Sequence, residues 1–173
     1  MPNTTNVASA SFDGSVRVWD YTTGNRIATI PMDGEAFSVA FSPDGRRLFI
    51  GSRRSITVVS TTTWSTETVK VVTTGPVYDI DMAANGTVIA VAEGTTATIR
   101  NASTLEVSAT LESGGRSGEI YSIALNNAAT RVATGGTDYI VATFNAATGT
   151  QIGTAQAVIA PILGLDYSPD GTG

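Results

Sequence analysis

Asp79 and Asp81 are the residues whose type and spacing come nearest to a reactive arrangement. They alternate with Tyr78, Ile80 and Met82, and the two-residue period of a β-strand sets both carboxylates on one face. Two carboxylates side by side can serve as paired acids. The same pattern also makes the polar side of an inner strand, near a central channel or an adjoining sheet, and that is the expectation for this pair. Little else in the chain reacts. It contains no His and no Cys, which excludes imidazole and thiolate metal sites and the Ser-His-Asp and Cys-His nucleophile systems. Gly114-Gly-Arg-Ser-Gly118 has the glycine content of a phosphate cradle. No helix follows it to offer N-terminal N–H groups, so it reads as a loop between units. No catalytic residue, metal or cofactor is expected.

Composition narrows the partners. Charged residues make up 14% of the 173 residues and the net charge is −5, which argues against a surface built to hold nucleic-acid phosphates. No apolar run is long enough to cross a bilayer, and the longest candidate, residues 157–165, is broken by Pro161. Residues 1–6 have neither the basic start nor the apolar core of a secretory signal. With no cysteine, the chain fits a cytoplasmic setting without nucleic acid or membrane.

Any side chain that binds must be positioned by a repeat. Phe37-Ser-Val-Ala-Phe41 returns as Tyr78-Asp-Ile-Asp-Met82, Tyr121-Ser-Ile-Ala-Leu125 and Leu163-Gly-Leu-Asp-Tyr167. Each copy alternates three large apolar residues with small or polar ones, as a half-buried strand does. Turns follow three copies, Ser42-Pro-Asp-Gly45, Ala83-Ala-Asn-Gly86 and Ser168-Pro-Asp-Gly171, in which Gly45, Gly86 and Gly171 supply the positive φ that closes the bend. The third copy, residues 126–130, lacks the glycine and reads as one residue longer. Second strands are expected at 48–52, 89–93 and 132–136, with 7–11 the same element lacking its first strand. Third strands end at residues 20, 60, 101 and 145, giving a period of 40, 41 and 44, and poorer fourth strands follow at 26–30, 68–72, 107–111 and 151–155. Four strands in roughly 40–45 residues are the mark of a β-propeller blade. The expected fold is all-β, with four-stranded antiparallel blades, about four in this chain. The units span 7–30 (partial), 36–72, 77–111, 120–155 and 162–173 (partial).

Ala8-Ser-Ala-Ser-Phe-Asp-Gly-Ser-Val-Arg-Val-Trp-Asp20 resembles the core of a WD-repeat: a small-residue strand, an Asp-containing turn, then a strand ending in Trp19-Asp20. The Asp20-Tyr-Thr-Thr-Gly24 and Asn145-Ala-Ala-Thr-Gly149 loops are similar to that family's link between third and fourth strands. The WD-repeat's usual hydrogen-bond network joins a His to Ser or Thr, Asp and Trp. With no His, Trp19 and Asp13 are its expected remnant, and Asp138 stands at the equivalent turn of the last unit. Units two and three also resemble YVTN-type bacterial repeats. The resemblance implies a non-catalytic scaffold for a protein or peptide, and that residues 162–167 pair beside residues 7–11 to close a ring. Closure alone, an eight-bladed ring with a second copy, and a piece of a larger propeller all stay open. So do a carboxylate-based YVTN-like enzyme or ligand binder and a fragment without activity of its own.

In a propeller the loops between second and third strands and those between blades share one face, where recognition concentrates. On it the sequence places Asp13, Arg53, Arg54, Asp138 and Tyr139, with Asp33, Glu35 and Glu119 alongside; Phe37, Tyr78 and Tyr121 stand where first strands begin. Tyr and Arg are common interface anchors, which suits a peptide or protein ligand.

Overall fold

The computed structural model describes residues 5–111, 117–156 and 159–168. Within them lie fifteen strands and no helix: β1 (Asn6–Ser11), β2 (Ser15–Asp20), β3 (Arg26–Pro31), β4 (Ala36–Phe41), β5 (Arg47–Ser52), β6 (Ser55–Ser60), β7 (Thr66–Val72), β8 (Val77–Met82), β9 (Val88–Glu93), β10 (Thr96–Asn101), β11 (Val107–Thr110), β12 (Ile120–Leu125), β13 (Arg131–Gly136), β14 (Ile140–Asn145) and β15 (Gln151–Gln156). Every pairing is antiparallel between sequence neighbours. This gives one three-stranded sheet, β1-β2-β3, and three four-stranded ones, β4-β5-β6-β7, β8-β9-β10-β11 and β12-β13-β14-β15. These are blades of a β-propeller.

The core lies between blades, not within one. Val16, Val18 and Ile30 of the first sheet meet Leu48, Ile50 and Val59 of the second. Phe49, Ile56 and Val58 on the second sheet's other side meet Ile80, Ile89 and Val91 of the third. Ile99 and Ala109 of the third meet Ile123, Val132 and Phe144 of the fourth. A middle blade is therefore covered on both faces, which is why β5 is a continuous apolar run instead of an alternating one. Close approach needs notches. A Cβ on Gly51 would come within 2.7 Å of Val77 Cγ1, and one on Gly135 within 2.5 Å of Ile162 Cγ2.

Two turn details depart from expectation. The turn at 126–130 is not longer: Ala129 N–H donates to Asn126 O at 2.8 Å, as Gly45 does to Ser42 and Gly86 to Ala83. Ala129 takes the left-handed φ of 52° in the place of Gly45 and Gly86, at 69° and 70°. The Asn126 side chain holds it there by accepting from the N–H groups of Thr130 and Arg131. An L-residue in that region is strained by about 1–2 kcal/mol, part of which glycine's unfolded-state entropy gives back. Ala129→Gly is therefore expected to stabilise by about 0.5–1 kcal/mol and raise Tm by about 2 °C. A lower Tm in a thermal melt would refute the strain. Gly171 lies outside the described residues.

Residues 162–168 do not form the expected pair with β1, whose only partner among the described residues is β2. They lie instead against the fourth sheet: Ile162 N–H donates to Gly136 O at 3.0 Å and Leu165 N–H to Ser122 Oγ at 3.1 Å. Those contacts repeat what β12 makes on the third sheet, where Ile120 N–H donates to Gly94 O. The Gly135 notch captures Ile162, so the segment takes the place of a next blade's first strand.

Candidate binding face

The first strands β4, β8 and β12 stand side by side along the inner edge of the blades. Their outward N–H groups need acceptors, because the strand's own ladder uses only alternate positions. Asp79 supplies them. One carboxylate oxygen accepts from Ser38 Oγ at 3.1 Å and from Ile80 N–H at 2.9 Å. The other accepts from Ser122 Oγ at 3.1 Å and Ile123 N–H at 3.0 Å. Asp81 reaches Met82 N–H and, on the next blade, Leu125 N–H at 2.6 Å. Burial first, then the nearby charges of Asp79 and Asp166, hold Asp81 above the ordinary carboxylate value against the pull of those two N–H groups. The carboxylates that looked reactive are spent on joining blades.

Strict alternation puts Phe37 on the same face as Val39 and Phe41, and the structure breaks that pattern. Ala36 pairs Ser52 and Ser38 pairs Gly51, so Phe37 is the extra residue of a bulge. Tyr78 is skipped in the same way between Val77 and Asp79, and Tyr121 between Ile120 and Ser122. A bulge leaves one residue unpaired and re-aims its side chain. Here the three re-aimed rings meet. Phe37 and Tyr78 are 5.3 Å apart and Tyr78 and Tyr121 5.0 Å, all edge to face. Phe12, from the β1–β2 turn, extends the row at 5.3 Å from Phe37 and is 74% exposed. Glu119 closes the other end, accepting from Tyr78 Oη at 2.9 Å on one oxygen and from Tyr121 Oη at 3.0 Å on the other.

The loops around this row carry the remaining candidates. Arg53 and Arg54 are exposed, and Arg53 reaches Glu35 at 3.4 Å. Tyr139 is exposed with φ of 64°, and Asp138 accepts from Ile140 N–H. Asp13 does not join Trp19. It accepts from Ser15 Oγ at 2.6 Å and Arg17 at 2.7 Å, and these two hold it down to about 2. Trp19 Nε1–H donates instead to Ser9 Oγ at 3.1 Å, because the β1–β2 register sets Trp19 opposite Val7 and Ser9 opposite Arg17, away from the turn. Asp20 closes the next turn by accepting from Thr22 N–H and Oγ1.

The model of the "WD domain, G-beta repeat" family matches residues 1–20, the stretch that ends in Trp19-Asp20. That stretch is therefore similar to a WD repeat. Over 44 residues, 25% of its length, the chain is 48% identical to the ribosome biogenesis protein BOP1 homolog of Caenorhabditis elegans. Over 47 residues, 27% of its length, it is 38% identical to THO complex subunit 3 of Arabidopsis thaliana. The matched stretches cover 6% of the first relative and 15% of the second.

One internal site lies outside the motifs described above. The position of Trp19 is taken by Val59, Arg100 and Phe144 in the later blades, and Arg100 is buried. Its guanidinium donates to Glu93 from Nη2 at 2.6 Å and from Nε at 3.0 Å, and Thr98 Oγ1 donates to the same oxygen at 2.6 Å. Arg100 Nη1 also bonds Leu105 O at 3.0 Å, holding a buried leucine with φ of 61° where the first and last blades have glycine. This network is internal to the third blade.

The phenols carry a pH signature. Burial first, then the Glu119 bond, push Tyr78 from 10.0 up to about 12. Neutral phenol is thus favoured by the fold, so its stabilising contribution is complete below pH 10 and is lost as pH climbs towards 12. An ultraviolet absorbance titration should show a late phenol that disappears in Tyr78→Phe. A titration in which every phenol ionises at the ordinary value would contradict the buried bond.

Proposed function

We propose that this chain is a non-catalytic WD-repeat scaffold that binds a protein or peptide segment across the row Phe12, Phe37, Tyr78 and Tyr121. The observation that carries the reading is the repeated bulge. Three successive blades each misalign one aromatic residue so that its ring leaves the packing face and joins a shared, partly exposed row. Rigid aromatic rings give large contact area at low entropic cost, and bulges favour functional edges. Arg53, Arg54, Asp13, Asp138 and Tyr139 flank the row as secondary contacts. A carboxylate enzyme draws less support, since the four oxygens of Asp79 and Asp81 already accept backbone or hydroxyl donors. One matched relative is named as a subunit of a complex, in keeping with a scaffold.

A displayed random-peptide library selected on the purified chain tests this. Binders should lose at least tenfold in affinity on Phe37→Ala or Tyr78→Ala while the melting curve remains cooperative. Binders indifferent to both substitutions, or substrate turnover abolished by Asp79→Asn, would overturn the reading.

A second reading concerns assembly. Residues 162–168 occupy a first strand's place, and the first sheet has three strands. This favours a second copy supplying the neighbouring blades: light scattering of the purified chain should show a dimer, and a monomer would overturn it.

A further inference from the structure

We propose that the segment received by the aromatic row is basic, with an arginine or lysine side chain lying over the Tyr78 and Tyr121 rings and ending on the Glu119 carboxylate. This rests on the row being a peptide-binding surface, as argued above, and adds the chemistry of its occupant. The length of the row points to a peptide: four rings in three steps of 5.0–5.3 Å match about five extended residues at ~3.3 Å each.

The charge points to a cation. Glu119 is fixed from three sides, by the two phenols and by its own N–H donating to Thr137 Oγ1 at 2.8 Å. A carboxylate offers about four acceptor positions, and the phenols use one on each oxygen. Among the described residues the ion pairs are Arg17 with Asp13, Arg53 with Glu35 and Arg100 with Glu93, and none involves Glu119. Glu119 is thus a positioned anion at the end of an aromatic row, and the negative faces of such rings attract ammonium and guanidinium groups. Its surroundings add to the field. Asp33 and Glu35 lie in the loop before Phe37, and Asp79, Asp81 and Asp166 follow the inner edge, against Arg53 and Arg54 on the loop face. An acidic segment would set its carboxylates against this group, whereas a basic one pairs with it.

The test uses three fluorescein-labelled nonapeptides, alternating arginine, lysine or glutamate with glycine, titrated by anisotropy against the whole 173-residue chain. The arginine and lysine peptides should bind and the glutamate peptide should not. Glu119→Gln, which keeps an acceptor for the phenols, should weaken binding about tenfold, and Glu119→Lys should transfer it to the glutamate peptide. Glu106→Gln, in an exposed loop between third and fourth strands, should leave binding unchanged. An equal loss in Glu106→Gln and Glu119→Gln would mean general attraction to an acidic protein and would overturn the proposal. Library binders that need Phe37 and Tyr78 but carry no basic residue would overturn it too, leaving the scaffold reading intact. Absence of any peptide binder would remove both.

Discussion

Glu93→Ala is expected to destabilise the chain by about 3–5 kcal/mol, because it leaves the Arg100 guanidinium buried without its counter-charge. The side chains of Arg100 and Glu93 are 9% and 6% exposed, so solvent can do little to replace the missing partner. Two bonds from Arg100 and one from Thr98 converge on a single Glu93 oxygen, and all three are lost together. Since domains of this size hold about 5–15 kcal/mol in all, the variant should unfold at a much lower urea concentration. Replacing Glu93, Thr98 and Arg100 together with apolar residues of matched volume should restore most of the loss, because the desolvation cost of both charges goes with them. A Glu93→Ala loss below about 1 kcal/mol in urea titration would show the pair to be solvated, contrary to its burial.

Asp79→Ala has the second-largest expected effect, about 2–4 kcal/mol, from donors left without acceptors at about 1–3 kcal/mol each. Asp79 holds Ser38 of the second sheet and Ser122 and Ile123 of the fourth, so one side chain fastens three blades along their inner edge. Hydrogen exchange should accelerate at the amide of Ile123, which loses its acceptor, more than at Ile80, which keeps Ser38 Oγ at 3.0 Å. Equal protection of both amides in wild type and variant would remove Asp79 from this role.

Strand positions were legible because four elements keep phase through the chain, and a shared period averages out the ambiguity of each short run. Features that depend on register were not. Phe37, Tyr78 and Tyr121 look like ordinary members of an alternating pattern; only the skipped pairing in each first strand shows that they leave it. The aligned copies carried a usable signal, since an aromatic begins three of them. Phe12 offered none, because the later blades have unlike residues at its turn. Arg100 was signalled only by its place under Trp19 in the alignment, and its partner Glu93 ends the preceding strand, across a tight hairpin. Ala129 departs from the turn rule, which rests on glycine, because Asn126 supplies enough bonds to hold an L-residue in the same conformation. The Asp13–Trp19 link implied by the resemblance does not form, in a chain that lacks the His of that network.

The notches at Gly51 and Gly135 make the blades non-interchangeable parts. Each seam is cut to one particular knob, Val77 in the first case and Ile162 in the second. The aligned place in the third sheet is taken by Ala92, in the core cluster against which Ile120 packs. A repeat copied elsewhere in the gene would arrive with a notch shaped for its old neighbour. Divergence of the copies therefore fixes their order: each blade carries the address of the one that follows it.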